Sequence, residues 1–179
     1  ISGIISLHEK ETERYQKLLD GFHVLHETAP SSDWLNWMIL AAHSFIVRDF
    51  LEREKSVIAG YHWFGVWGRD TFVSLPGLLL LAGRFEEAKE MFLTFERHSK
   101  NGLIPNFIPE DAGSCAYNTV DATLWFVNAL LQYLKYTGDF TFIRKHLWET
   151  LKRIVENHVE GTLFNIHVDV DGLLSHGPQ

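Results

Sequence analysis

The chain has 179 residues, 46% of them hydrophobic and 13% aromatic, with 16 Lys and Arg against 23 Asp and Glu for a formal net charge of −7. That is enough for one domain with a substantial core, and the absence of any Lys or Arg run argues against a nucleic-acid partner. The single cysteine, Cys115, excludes an intrachain disulfide and fits a reducing, cytoplasmic compartment. The most apolar run, Leu75 to Gly83, is too short to span a bilayer and contains Pro76, so no membrane partner is expected. The first residues, ISGIISLHEKE, lack a basic n-region and a small-residue cleavage site, so they do not read as a signal peptide. Residue 1 is Ile rather than Met, which suggests a piece of something longer.

The dominant signal along the chain is helical. From Lys10 to about Glu27, Tyr15, Leu18, Leu19, Phe22 and Leu25 recur at three- and four-residue steps. After TAPSSD, whose Ser31, Ser32 and Asp33 are all N-cap candidates, a second helix is predicted from Asp33 to about Arg53 through Trp34, Trp37, Met38, Ala41 and Phe45. Then comes GYHWFGVWGRDTF, Gly60 to Phe72, eight of whose thirteen residues are aromatic or glycine, with an Arg69-Asp70 pair directly after the last glycine. A third helix is predicted from about Arg69 to Ala82 with Gly83 as its stop, and a fourth carries Phe85, Ala88, Met91, Phe92 and Phe95 on one face. The segment 101–119 reads as irregular. A fifth helix is predicted from about Val120, capped by Asn118 or Thr119, to just before Gly138. A sixth holds Phe142, Ile143, Leu147, Leu151 and Ile154 and ends at Gly161. Alternation at Ile166, Val168 and Val170, followed by Asp171-Gly172, predicts a short C-terminal hairpin.

Six helices in three pairs, with short links within the second and third pairs and long Gly/Pro/aromatic links between pairs, predict an all-α chain. Such pairs build a solenoid or an α/α toroid; a toroid gathers the long loops around one pocket. Most of the six tryptophans are expected in the core, the remainder being free to stack on a sugar. Two polar clusters, Gly68-Arg69-Asp70 and Asn118-Thr119-Val120-Asp121, each fall at the first turn of a helix after a long loop. Asp70 and Asp121 there are either dipole-favoured caps or site carboxylates. Glycoside hydrolysis would need one of them protonated to donate to the leaving oxygen, and a second carboxylate to activate water.

Other signals carry less. HVDVDGLLSH, His167 to His176, lacks the Asp and Glu that a calcium loop requires at its ends. No HExxH is present, His23 and His26 have no carboxylate in register, and no metal or cofactor is expected. Cys115 has no recognisable base partner, and GRDTF lacks the spacing of a phosphate loop. His62 either faces the pocket or is simply packed or solvated.

AGYHWFGVWGRDTFVSLPGL, then GLIPNFI, then AYNTVDATLWFVNAL closely resemble the amylo-α-1,6-glucosidase region of glycogen debranching enzymes, from about Ile58 to the end of the chain. The resemblance implies an (α/α)6 barrel, of which residues 1–179 would be a single domain forming the N-terminal half. It implies hydrolysis, with inversion, of the α-1,6-linked glucose stub on glycogen-type limit dextrins. Carried over by motif, Asp121 would be the general acid. Arg69 and Asp70 would hydrogen-bond the terminal glucose hydroxyls; Trp63 and Trp67 would wall the glucose subsite, and Tyr117 and Asn118 would help line it. Many relatives have an Asp directly before the Trp of WGRD; this chain has Val66, so a sugar contact there would be lost. The family's base is a glutamate beyond the region matching His176 to Gln179, so the chain alone would carry the acid without the base. A half barrel would leave apolar helix faces uncovered, which predicts self-association. Two other readings stand beside this one: another toroidal carbohydrate enzyme, such as a glucoamylase, trehalase or glycoside phosphorylase, and a non-catalytic helical interaction module.

Overall fold

The computed structural model describes residues 2–27, 33–48, 55–62, 64–109 and 113–177. Helices dominate: α1 (Ser2–Leu25), α2 (Asp33–Ser44), α3 (Gly68–Leu75), α4 (Phe85–Arg97), α5 (Asp121–Thr137), the single turn α6 (Phe140–Phe142) and α7 (Trp148–Glu160). The predicted stops hold where glycine supplies a left-handed cap: Gly138 sits at φ 64° after α5 and Gly83 at φ 68° before α4. The third predicted helix is α-helical only to Leu75 and continues as a π-helical turn, Pro76–Leu80, closed by Leu81 N–H to Pro76 O at 2.9 Å. Pro76 has no N–H to give to the turn before it, so the ladder re-forms one residue longer. A second π-helical turn, Ile143–Leu147, joins α6 to α7, so the sixth predicted helix runs from Phe140 to Glu160 with a break in regular geometry at Leu147, φ −121° and ψ −9°.

The all-α expectation is corrected by a four-stranded antiparallel sheet in the order β1-β2-β3-β4: Ile46–Arg48, Lys55–Gly60, Phe64–Trp67 and Phe107–Ile108. The second predicted helix therefore ends at Ser44, whose hydroxyl donates to Ala41 O at 2.6 Å, and not near Arg53, a position outside the described residues. Ile46 pairs with Val57 and Ile58 with Val66, β-branched residues that fill a pleated, half-buried surface. Val57 is buried and Ile46 and Val66 pack against the main core, so core contact decides strand over helix here. The described residues of the aromatic-glycine stretch thus belong to the end of β2, its turn, β3 and the start of α3. Val66, between Ile58 and Ile108, is partly buried against the core, where a carboxylate would be partly desolvated. The predicted C-terminal hairpin forms from β5 (His167–Val168) and β6 (Leu174–Ser175), with Gly172 at φ 79° in its turn. Its aspartates serve that turn: Asp169 and Asp171 carboxylates accept the N–H groups of Val170 and Leu173.

The core is aromatic. Phe72 of α3 stacks on Phe92 of α4 with centroids 5.9 Å apart and meets Phe95 and Phe126 edge-on at 4.7 and 5.0 Å. Phe92 passes the chain of rings to Tyr133, and Tyr133 to Phe142, so α3, α4, α5 and α6 share one cluster. Each such pair adds about 0.5–1.5 kcal/mol beyond burial. The tryptophans do not take part as expected: Trp34, Trp37, Trp125 and Trp148 are exposed and Trp67 is half-buried, while Trp63 lies outside the described residues. Phenylalanine fills this core instead, its rings carrying no N–H that burial would leave to be satisfied. Among the described residues no helix is long and apolar enough to cross a membrane.

Candidate functional site

Strand β3 runs directly into α3. Trp67 is the extended N-cap, at φ −114° and ψ 129°, and Gly68 is the first helical residue. A Cβ on Gly68 would lie 2.2 Å from Pro105 O, so the backbone of the GLIPNFI segment can approach only glycine. Gly68 N–H donates to Asn106 O at 2.9 Å, and Asn106 N–H to Ala116 O at 2.7 Å. Ile104 N–H donates to the buried hydroxyl of Thr123 at 2.9 Å. The segment 104–107 therefore stitches the start of α3 to the approach and first turn of α5, bringing together two clusters far apart in sequence.

What meets there is a two-point ion pair. Arg69 Nε donates to Asp121 Oδ2 at 2.6 Å and Nη2 to Oδ1 at 2.9 Å. Both side chains remain partly exposed, 49% for Arg69 and 36% for Asp121. The Arg69 hydrogen bonds hold the Asp121 carboxyl below the usual carboxylate range, against the opposing effect of partial burial, and raise Arg69 in turn. The residue before α5, Val120, makes no side-chain cap bond and already has helical backbone angles, φ −80° and ψ −34°.

Asp121 opens onto a cavity of about 310 Å³ lined by Arg69, Thr119, Asp121, Phe164, Ile166 and His176. Asp70 does not line it. It borders a second depression of about 380 Å³ with Phe45, Val57, Ile58 and Val73, and Arg69 lies on the wall between the two. Trp67 also stands apart from the Asp121 cavity: it pairs across the sheet with Phe107, the rings 5.0 Å apart. The Tyr117 hydroxyl donates to His98 O at 2.6 Å, anchoring the approach to α5 on the end of α4, and Asn118 is exposed just before that helix. Burial raises the Cys115 thiol, which is no activated nucleophile. His62 is exposed. His23 is 2.7 Å from Asn36 Oδ1 and His26 bonds Leu81 O, so both imidazoles join helices.

Sequence reasoning named Arg69 and Asp121, and the structure brings them into contact. It missed Phe164, Ile166 and His176, which come from the far end of the chain and carry no motif. Chemically the arrangement is a carboxylate and a guanidinium at the mouth of a small half-apolar cavity. It suits a neutral polyhydroxyl ligand whose hydroxyls can compete for both charges.

A family model for amylo-alpha-1,6-glucosidase matches residues 40–179. A curated relative, glycogen debranching enzyme of Saccharomyces cerevisiae, is 44% identical over 94 residues, a stretch that is 49% of this chain and 6% of the yeast protein.

Proposed function

We propose, from the premise that the chain belongs to the amylo-alpha-1,6-glucosidase family, that Asp121 is the general acid of a glycoside hydrolase cutting α-1,6-linked glucose from glycogen-type limit dextrins. The observation that carries this reading is the two-point contact between Arg69 and Asp121 at the mouth of a cavity, made by residues 52 positions apart. In this reading Arg69 and Asp70 take the hydroxyls of the terminal glucose. Trp63, Trp67, Tyr117 and Asn118 wall that subsite, and the fold is half of an (α/α)6 toroid in a cytoplasmic protein.

The ion pair sets the order of events. With Arg69 bound to it, Asp121 is an anion and has no proton to donate. As glucose hydroxyls enter, they replace the carboxylate as partners of Arg69. Asp121 then loses its counter-charge, its pKa climbs toward the donor range, and the carboxylate takes up a proton from solvent. The protonated carboxyl gives its proton to the bridging oxygen while that oxygen leaves the anomeric carbon. Water attacks the opposite face, activated by a second carboxylate roughly 6.5–9.5 Å away, the separation that inversion requires. Among the described residues lining the cavity Asp121 is the one carboxylate, so the reading takes the water-activating group from outside that lining.

The test is Asp121→Asn in the full-length protein, read as glucose released from a branched limit dextrin. Loss of roughly 10²–10⁴-fold in kcat is expected; undiminished release removes the acid assignment.

A further inference from the structure

The wall of the Asp121 cavity opposite the two motifs is built by the segment between α7 and the C-terminal hairpin. Leu163–Asn165 form one 3-10 turn, and within it Phe164 has φ 61° and ψ 26°, followed by Asn165 at φ 56°. Asparagine tolerates this left-handed region; phenylalanine has a side chain that clashes there and no local hydrogen bond to offset it. The turn is nevertheless over-determined. Thr162 N–H donates to Ile166 O at 2.8 Å, and Gly177 N–H to Phe164 O at 3.3 Å. The backbone of Gly177 runs so close that a Cβ there would lie 3.0 Å from Asn165 Cβ. The strain is not spent on burying the ring. Phe164 is 47% exposed and lies on the cavity that also holds Arg69, Asp121 and His176. A strained backbone that presents a half-exposed ring beside a carboxylate is the pattern of a binding platform rather than of packing.

We propose that Phe164 is the stacking platform for the leaving-side sugar, the glucosyl unit whose bridging oxygen receives the Asp121 proton, with His176 on the same wall as a hydroxyl partner. The proposal rests on the glucosidase reading above and adds the subsite on the other side of the bond from Arg69 and Asp70. The geometry fits this division. Asp70 and Phe164 line separate depressions, with Arg69 common to both and Asp121 on the Phe164 side. A saccharide bridging them would place its linkage near Asp121. The Asp121 cavity, about 310 Å³, is at the small end of small-molecule sites and suits one sugar ring better than a chain.

Calorimetry on the full-length protein separates the two ideas, using glucose and a thio-linked isomaltose whose bridging sulfur resists hydrolysis. The wild-type protein is expected to bind the disaccharide more tightly than glucose. Phe164→Ala should lose roughly tenfold in disaccharide affinity and leave glucose affinity within about twofold, while Phe164→Tyr restores the difference. Phe164→Asn, better suited to the left-handed backbone, should raise Tm and still lose the disaccharide increment. Unchanged disaccharide affinity in Phe164→Ala overturns the platform and leaves the glucosidase reading standing. Equal losses for both ligands, or a lower Tm in Phe164→Asn, assign the ring to packing and overturn it as well. A wild-type protein that binds neither ligand overturns both readings.

Discussion

Two of the arginine-paired carboxylates among the described residues, Glu87 and Asp121, do opposite things. Glu87, in the first turn of α4, accepts Lys55 Nζ at 2.7 Å from β2 and Arg84 Nη2 at 2.7 Å from its own helix approach. Arg84 in turn sits 2.8 Å from His43 Nδ1 on α2, so one carboxylate ties a strand and two helices together. Asp121 has one cation, Arg69, and faces a cavity. Glu87 is 17% exposed and Asp121 36%. The pairing chemistry is the same; what differs is the second cation and the empty volume beside the carboxylate. An ion pair closed in on all sides is a joint, whereas one that opens on a cavity can be exchanged for a ligand.

That contrast breaks first at Glu87. Burial alone would raise its carboxyl, but the Arg84 and Lys55 hydrogen bonds outweigh it and hold it at about 2, down from 4.5. A carboxyl depressed in the folded state contributes stability that is present above its unfolded pKa and lost as pH falls through the folded one. Glu87→Gln should therefore cost on the order of 2–3 kcal/mol at neutral pH. The difference from wild type, followed by denaturant unfolding, should shrink steadily from pH 5 toward pH 2. A gap that stays constant over that range would show that the charge is not what binds the joint.

The next test acts on the stitch that creates the other pair. Gly68→Ala forces a Cβ against the Pro105 carbonyl, which is backbone and cannot swing aside. The expected cost is about 1–3 kcal/mol, with a shift of the α3 start away from α5. In the structure of the variant the Arg69–Asp121 distances should lengthen while the Glu87 cluster stays as it was. If the Arg69–Asp121 contact survived, segment 104–107 would not be what positions the site.

These two regions also differ in how far the sequence reveals them. Apolar steps of three and four residues, closed by Gly138 and Gly161, reveal α4, α5 and the run from Phe140 to Glu160, because those helices bury one continuous face. The sheet is hidden for a physical reason. Ile46 and Val47 continue the apolar run of α2, and only their pairing with Val57 and Ser56, a non-local event, makes them a strand. The exposed tryptophans mislead in the same way, since ring size predicts burial only when the neighbours are known. At the site, the motifs identify Arg69 and Asp121 but not their contact, which depends on a backbone approach at Gly68 visible only in three dimensions. Phe164 reaches the cavity from the turn after α7 and His176 from the end of the C-terminal hairpin, and no local pattern marks either for the site.

The smallest effect on stability discriminates most sharply. Arg69→Gln removes the cation from a partly exposed pair, and exposed pairs are worth under about 1 kcal/mol, so Tm should hardly move. The Asp121 titration should move clearly. Its carboxyl is held low chiefly by Arg69, so the variant should titrate at higher pH, back toward the ordinary carboxylate range, as followed by carboxyl-carbon NMR. The stability that this pair does supply is present above the unfolded pKa of Asp121 and fades as pH falls through its folded value, in the same direction as at Glu87 but with a fraction of the amplitude. A large loss of Tm in Arg69→Gln would make this pair a second joint. The exchange of Arg69 from carboxylate to glucose hydroxyls, on which the proton transfer depends, would then have no place to occur.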